Sequence, residues 1–141
     1  MDEIRQAAPR ALSARRRRTR AAVVGGAVLA TGVIWLVADA LGADFILTDY
    51  TGTATVGLPV VAVFTLIFGL LGWGTLATLE RWTRHATTGW RWLATAVALL
   101  SLAPVFAEHA TTGTKAALTL IHLTVAAVLI PCLPRAASRA R

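Results

Sequence analysis

Cysteine occurs once, at Cys132, which excludes an intramolecular disulfide, a CxxC redox pair and an internal quinone-linked dithiol mechanism. The three histidines, His85, His109 and His122, form no HExxH motif and no one-helix haem pair, and ligands are too few for a zinc site. There is no GxSxG, no P-loop and no GxGxxG in a strand-to-helix setting. The motifs therefore call for no metal and no cofactor, and the reading leans away from an enzyme. Acidic residues are scarce: seven stand against 14 basic ones, and Lys115 is the one lysine among thirteen arginines.

What fills the space is hydrocarbon. Hydrophobic residues make up 56% of the chain, yet the first 20 residues are almost wholly polar or alanine, so the apolar content is concentrated in the remaining 121. A soluble domain of that size needs more polar surface than those residues supply. Four runs approach the roughly 20 residues that cross a bilayer core of about 30 Å. They are residues 21–42, 56–79, 90–107 and 115–133. "ADA" at Ala38–Ala40 fits a signal-peptidase pattern, but the first run is longer than an h-region of about 7–15 residues and is read as an uncleaved helix.

Arginine placement orients these spans. The arm 1–20 holds seven arginines, the link "ERWTRHATTGWR" holds Arg81, Arg84 and Arg91, and the tail 135–141 holds Arg135, Arg139 and Arg141. Four spans put all thirteen on one side and Lys115 on the other, which the positive-inside rule makes cytoplasmic. The expected fold is all-α: an integral membrane four-helix bundle of residues 21–134 in the cell's cytoplasmic membrane, with both termini cytoplasmic. The arm is expected to be flexible, and "ADFILTDYTGTATVG" reads as a short β-hairpin in the first outer loop.

Aromatic residues point the same way. Trp82, Trp90 and Trp92 are expected at the inner boundary and Tyr50 at the outer, while Trp35 and Trp73 lie inside spans and need partners for their indole N–H groups. Ala22, Gly26 and Ala30 on the first span, and Thr65, Gly69 and Trp73 with Gly72 on the second, form faces on which helices can approach closely. Pro59, Pro104 and Pro131 fall near span ends, and Pro104 could open carbonyls toward Ser101.

The polar residues inside the spans are segregated. Asp39, Thr65, Ser101 and His122 all fall in the outer half, His122 about 10 Å below Lys115 by helical rise. Thr119 shares the Lys115–His122 face. Such groups are costly in lipid unless paired or hydrated. The expected site is a polar pocket, open to the outside, made by Asp39, Ser101, Thr119 and His122 with Glu108 and Lys115 above. The blander reading stays open beside it: His122 as an interhelical hydrogen-bonding residue, Asp39 at the surface, Lys115 snorkelling. Glu80 and Arg81 are expected to cap the second span. Arg15, Arg16, Arg17, Arg18 and Arg20 read as contacts to anionic lipid head groups, favoured over nucleic acid because no stacking aromatics interleave them.

The segments "GVIWLVADALGADF", "TVGLPVV", "GLLGWGTLATLERWTRHA" and "TTGTKAALTLIHLTVAAVLIP" together resemble a family of small four-helix membrane proteins common in actinobacteria and classed as a domain of unknown function. The resemblance covers about residues 16–134, with Thr114, Lys115 and His122 in the matching pattern. It implies architecture and no catalytic roles. Two functions remain in view. One is a structural or accessory subunit, or a small-solute or proton-handling component, in a homo-oligomer or larger complex. The other is an intramembrane redox or lipid-modifying enzyme that borrows a bound cofactor. The charge partition makes one outcome definite: reporters fused to either terminus should both read out from the cytoplasmic side, and reports from opposite sides would overturn the span count.

Overall fold

The computed structural model describes the backbone of residues 2–49 and 51–138 and the side chains of 12–48 and 51–136. Tyr50 and the tail residues Arg139 and Arg141 lie outside the described residues. Four helices carry the fold: α1 (Asp2–Ala40), α2 (Leu58–Trp82), α3 (Ala86–Ala107) and α4 (Thr112–Ser138). Each is long and apolar enough to cross a membrane. The backbone of the amino-terminal arm is helical and runs into the first span without a break.

Burial explains why lipid is the medium. Leu29 is 73% exposed and Leu100 71%, and similar apolar side chains cover the outward faces of the helices. A water-soluble protein does not present such continuous apolar surface. Without a hydrophobic push between helices, close backbone approach and internal hydrogen bonds hold the bundle. The neighbouring pairs are α1–α4, α1–α2, α3–α4 and α2–α3, with only a light diagonal contact between α2 and α4.

The face of α1 that packs is Arg20, Val24, Ala27 and Thr31, all buried. The expected Ala22–Gly26–Ala30 face lies one residue round the helix: Ala22 and Gly26 are exposed, and a Cβ on Gly26 would meet nothing within 4 Å. On α2 the expected face is close to the real one. Val61, Thr65, Gly69 and Leu76 are buried, and Gly69 lies so near Val24 that a Cβ there would sit 2.8 Å from Val24 Cγ1. Gly72 leaves similar room for the Trp90 ring. Thr31 Oγ1 and Thr65 Oγ1 are 3.3 Å apart at this seam.

Two apolar cores result. One, toward the α2–α3 link, gathers Val24, Ala27, Leu76, Trp90, Leu129 and Leu133; the other, toward the first loop, gathers Ala43, Phe45, Val105, Ala117 and Leu118. Trp90 thus belongs to the interior, whereas Trp82 and Trp92 are exposed. The reason is covalent. Pro134 has no N–H to give to Ile130 one turn earlier, and the Trp90 indole N–H takes that vacant carbonyl at 3.2 Å. Pro59 opens α2 as expected, but Pro104 and Pro131 lie inside α3 and α4.

At the end of the bundle that carries the α2–α3 link, Glu80 does not cap α2. Its carboxylate accepts from Arg20 Nη2 at 2.6 Å and from Arg16 Nη2, tying α1 to α2. Arg20 is only 3% exposed.

A two-stranded antiparallel hairpin closes the opposite end, β1 (Ile46–Asp49) against β2 (Gly52–Thr55), as expected for the loop between the first two spans. Thr48 also exchanges two backbone hydrogen bonds with His109, each 3.0 Å, so the α3–α4 link joins the sheet. Trp35 donates its indole N–H to the Val56 carbonyl at 2.8 Å and stacks on Phe45 with ring centroids 5.1 Å apart.

The Gly69–Val24 approach is directly testable. Gly69→Leu should destabilise the bundle by about 1–3 kcal/mol through overpacking, read as a fall in thermal unfolding midpoint in detergent, and Val24→Ala in the same chain should recover part of it. An unchanged midpoint would mean that α1 and α2 do not meet there.

Candidate functional site

Because α2 and α3 touch least among the neighbouring helix pairs, a cleft of about 630 Å³ opens between them, floored by α4. It runs along α3 from Trp90 to Glu108, about 27 Å of helical rise and close to the thickness of a hydrocarbon core. Its walls are largely aliphatic and aromatic: Val60, Phe64 and Phe68 from α2, Val97 and Ala98 from α3, Val125 and Ala126 from α4. The volume lies within the roughly 300–1,000 Å³ of small-ligand sites. Spread over that length it is a slot.

Few polar side chains line it. Ser101 and His122 face it part-way along, Glu108 stands at its hairpin end, and Thr65 and Thr75 come from α2. The His122 ring lies with Nδ1 2.7 Å from the Leu118 carbonyl. A carbonyl can only accept, so the neutral ring carries its proton on Nδ1 and leaves Nε2 as a lone pair. Ser101 donates to the Ala98 carbonyl at 2.7 Å.

The sequence-derived pocket is thus divided. Ser101, His122 and Glu108 line one cleft, but Asp39, Thr119 and Lys115 are not among its walls. For Asp39 the reason is topological: α1 packs against α2 and α4 on the other side of the bundle and contributes nothing to the cleft, so Asp39 is exposed in its last turn. Arg15, Arg17 and Arg18 are exposed, whereas Arg20 is spent on Glu80 inside the bundle and Arg16 is half-buried against the same carboxylate. No group of three or more metal-ligating side chains occurs among the described residues.

A second polar cluster was missed. Thr114, fully buried, donates to Asp44 Oδ1 at 2.7 Å and accepts the Phe45 N–H at 3.0 Å. Thr111 Oγ1 lies 3.1 Å from both Asp44 Oδ1 and Thr114 Oγ1 and accepts the Thr114 N–H at 3.3 Å, as an N-terminal cap does. This latch holds Phe45 at φ +51, a left-handed conformation unusual for a non-glycine residue, and fastens the end of α1 to the start of α4. The threonines before an apolar run were a capping signal; that Asp44 would be the partner, 70 positions away, was not legible.

Residues 12–139 match the model of the Family of unknown function (DUF6069). The chain belongs to that family. No curated protein and no solved structure matches it.

The latch sets a pH dependence. The Thr114 hydroxyl, aided by the Ile46 amide and Thr111 and opposed by desolvation, holds the Asp44 carboxyl below its ordinary value of 3.8. A depressed carboxyl stabilises the fold fully above the unfolded value and loses that contribution as pH falls through the folded one. The unfolding midpoint of wild type should therefore exceed that of Asp44→Asn by a constant amount at pH 5 and above, the gap narrowing below pH 3.8. A gap that widens with acid would contradict the latch.

Proposed function

We propose that this small multi-pass membrane protein is an accessory component of the cytoplasmic membrane that holds a lipid-type chain in the cleft between α2, α3 and α4, with both termini on the cytoplasmic side. The single observation that carries this reading is the shape of the cleft: nearly as long as the bilayer core is thick, narrow, and walled by hydrocarbon with isolated polar groups along it. A solute or proton pathway needs polar or hydrated walls through the membrane. Between these isolated polar groups the walls are apolar, which favours a chain over an ion or a small solute. The exposed Arg15, Arg17 and Arg18 suit anionic head groups on the same side as the other arginine-bearing ends. The thirteen-to-one division of basic residues supports that orientation.

Binding and release of a chain requires no chemistry from the protein, and Ser101 is not paired with a base: its proton goes to the Ala98 carbonyl at 2.7 Å. The accessory reading therefore stands ahead of an intramembrane enzyme. Native mass spectrometry of the protein released from mild detergent should find one bound lipid on wild type. Ala98→Trp, which places a ring in the middle of the slot, should reduce its occupancy at least severalfold while the bundle still unfolds cooperatively. Equal occupancy in a folded Ala98→Trp protein would rule the cleft out as the binding place.

A further inference from the structure

The side-chain donors around the cleft are all committed to protein acceptors. Ser101 donates to Ala98, Thr75 to Leu71 at 2.8 Å, and Trp90 to Ile130. Thr31 donates its one proton to the Val28 carbonyl at 3.0 Å, so the hydrogen bond between Thr31 and Thr65 takes its proton from Thr65. His122 places its Nδ1 proton on Leu118. What these residues still present is lone pairs: His122 Nε2, the hydroxyl oxygens of Ser101 and Thr75, and, at the hairpin end, the Glu108 carboxylate.

From this we propose that the ligand of the cleft is a neutral long-chain lipid bearing a hydrogen-bond donor, in the simplest case an alcohol, whose hydroxyl bonds to His122 Nε2. The inference rests on the lipid-cleft reading and adds the chemistry of its polar group. A phosphodiester or a carboxylate brings only acceptors, and charged ones, to a slot that offers acceptors and carries Glu108 at its mouth. A ketone or an ether would leave both its own oxygen and Nε2 without a proton. A hydroxyl satisfies the ring. Depth points the same way: His122 is about 10 Å below Lys115 by helical rise, where sinking a hydroxyl is far less costly than sinking an ionised head group. An ordinary phospholipid keeps its head at the surface and leaves the imidazole unpaired.

The test uses full-length protein in detergent, labelled with a photoreactive oleyl alcohol that carries its diazirine in the chain. Unlabelled oleyl alcohol, oleyl methyl ether and dioleoyl phosphatidylcholine serve as competitors. Expected are crosslinks mapping to α2, α3 and α4 and alcohol competing about five- to tenfold better than ether, the worth of one neutral hydrogen bond. His122→Leu should abolish that preference while leaving competition by the ether unchanged. Equal competition by alcohol and ether on wild type, or stronger competition by the phospholipid, overturns the donor assignment and leaves the cleft reading intact. Absence of crosslinks to cleft residues overturns the cleft reading itself. Should His122→Leu fail to fold, the alcohol and ether comparison on wild type still decides, because it needs no variant.

Discussion

In hydrocarbon no water stands by to accept a proton from a hydroxyl or an indole, and that constraint organises the interior of this bundle. Thr31, Thr75, Thr78 and Ser101 return their protons to carbonyls three or four residues earlier on their own helices. Trp35 and Trp90 reach across to Val56 and Ile130. Each of these bonds would be worth little in water; here the alternative is an unsatisfied donor in lipid. The consequence for the cleft is chemical as well as structural: once the protons are committed inward, its polar groups present only lone pairs.

Proline works with the same constraint. Inside α4, Pro134 removes a helix hydrogen bond, and the freed Ile130 carbonyl becomes the anchor for Trp90. The ring then lies over Gly72, where there is no Cβ to obstruct it. A backbone defect, an aromatic donor and a missing side chain thereby fix α2, α3 and α4 near the α2–α3 link. At the hairpin end the job falls to Asp44, Thr114 and the stacked pair Trp35 and Phe45. With both ends fastened, α2 and α3 can stay apart between them without the bundle coming loose.

Charge follows a related logic at the arginine-bearing end. Two guanidinium groups share the single Glu80 carboxylate, and Arg20 is almost wholly enclosed. Removing the carboxylate would leave a buried cation without its counter-ion, which is far worse than never having buried it. The arginines of one short run are therefore not equivalent. Helical phase, at about 100° per residue, turns Arg20 toward α2 and leaves Arg17 and Arg18 outside.

Residue order alone determined the four apolar helices and the hairpin between the first two, though not that α1 reaches back to Asp2, because hydropathy over about 20 residues and β-branched residues around Gly52 are local signals. It also flagged His122, Ser101 and Glu108 as polar residues in an apolar setting. Only the tertiary structure decided which of them share a space. Alanine-rich helices present small residues on several faces, so pattern could not tell Val24 and Ala27 from Ala22 and Gly26 as the seam of α1. The placement of α1 against α2 and α4, away from the cleft, removed Asp39 from it, and Arg20 was committed to Glu80 and Asp44 to Thr114 by contacts 60 and 70 positions apart. Helix phase and long-range partners arise from packing between segments, and no local property of the chain encodes them.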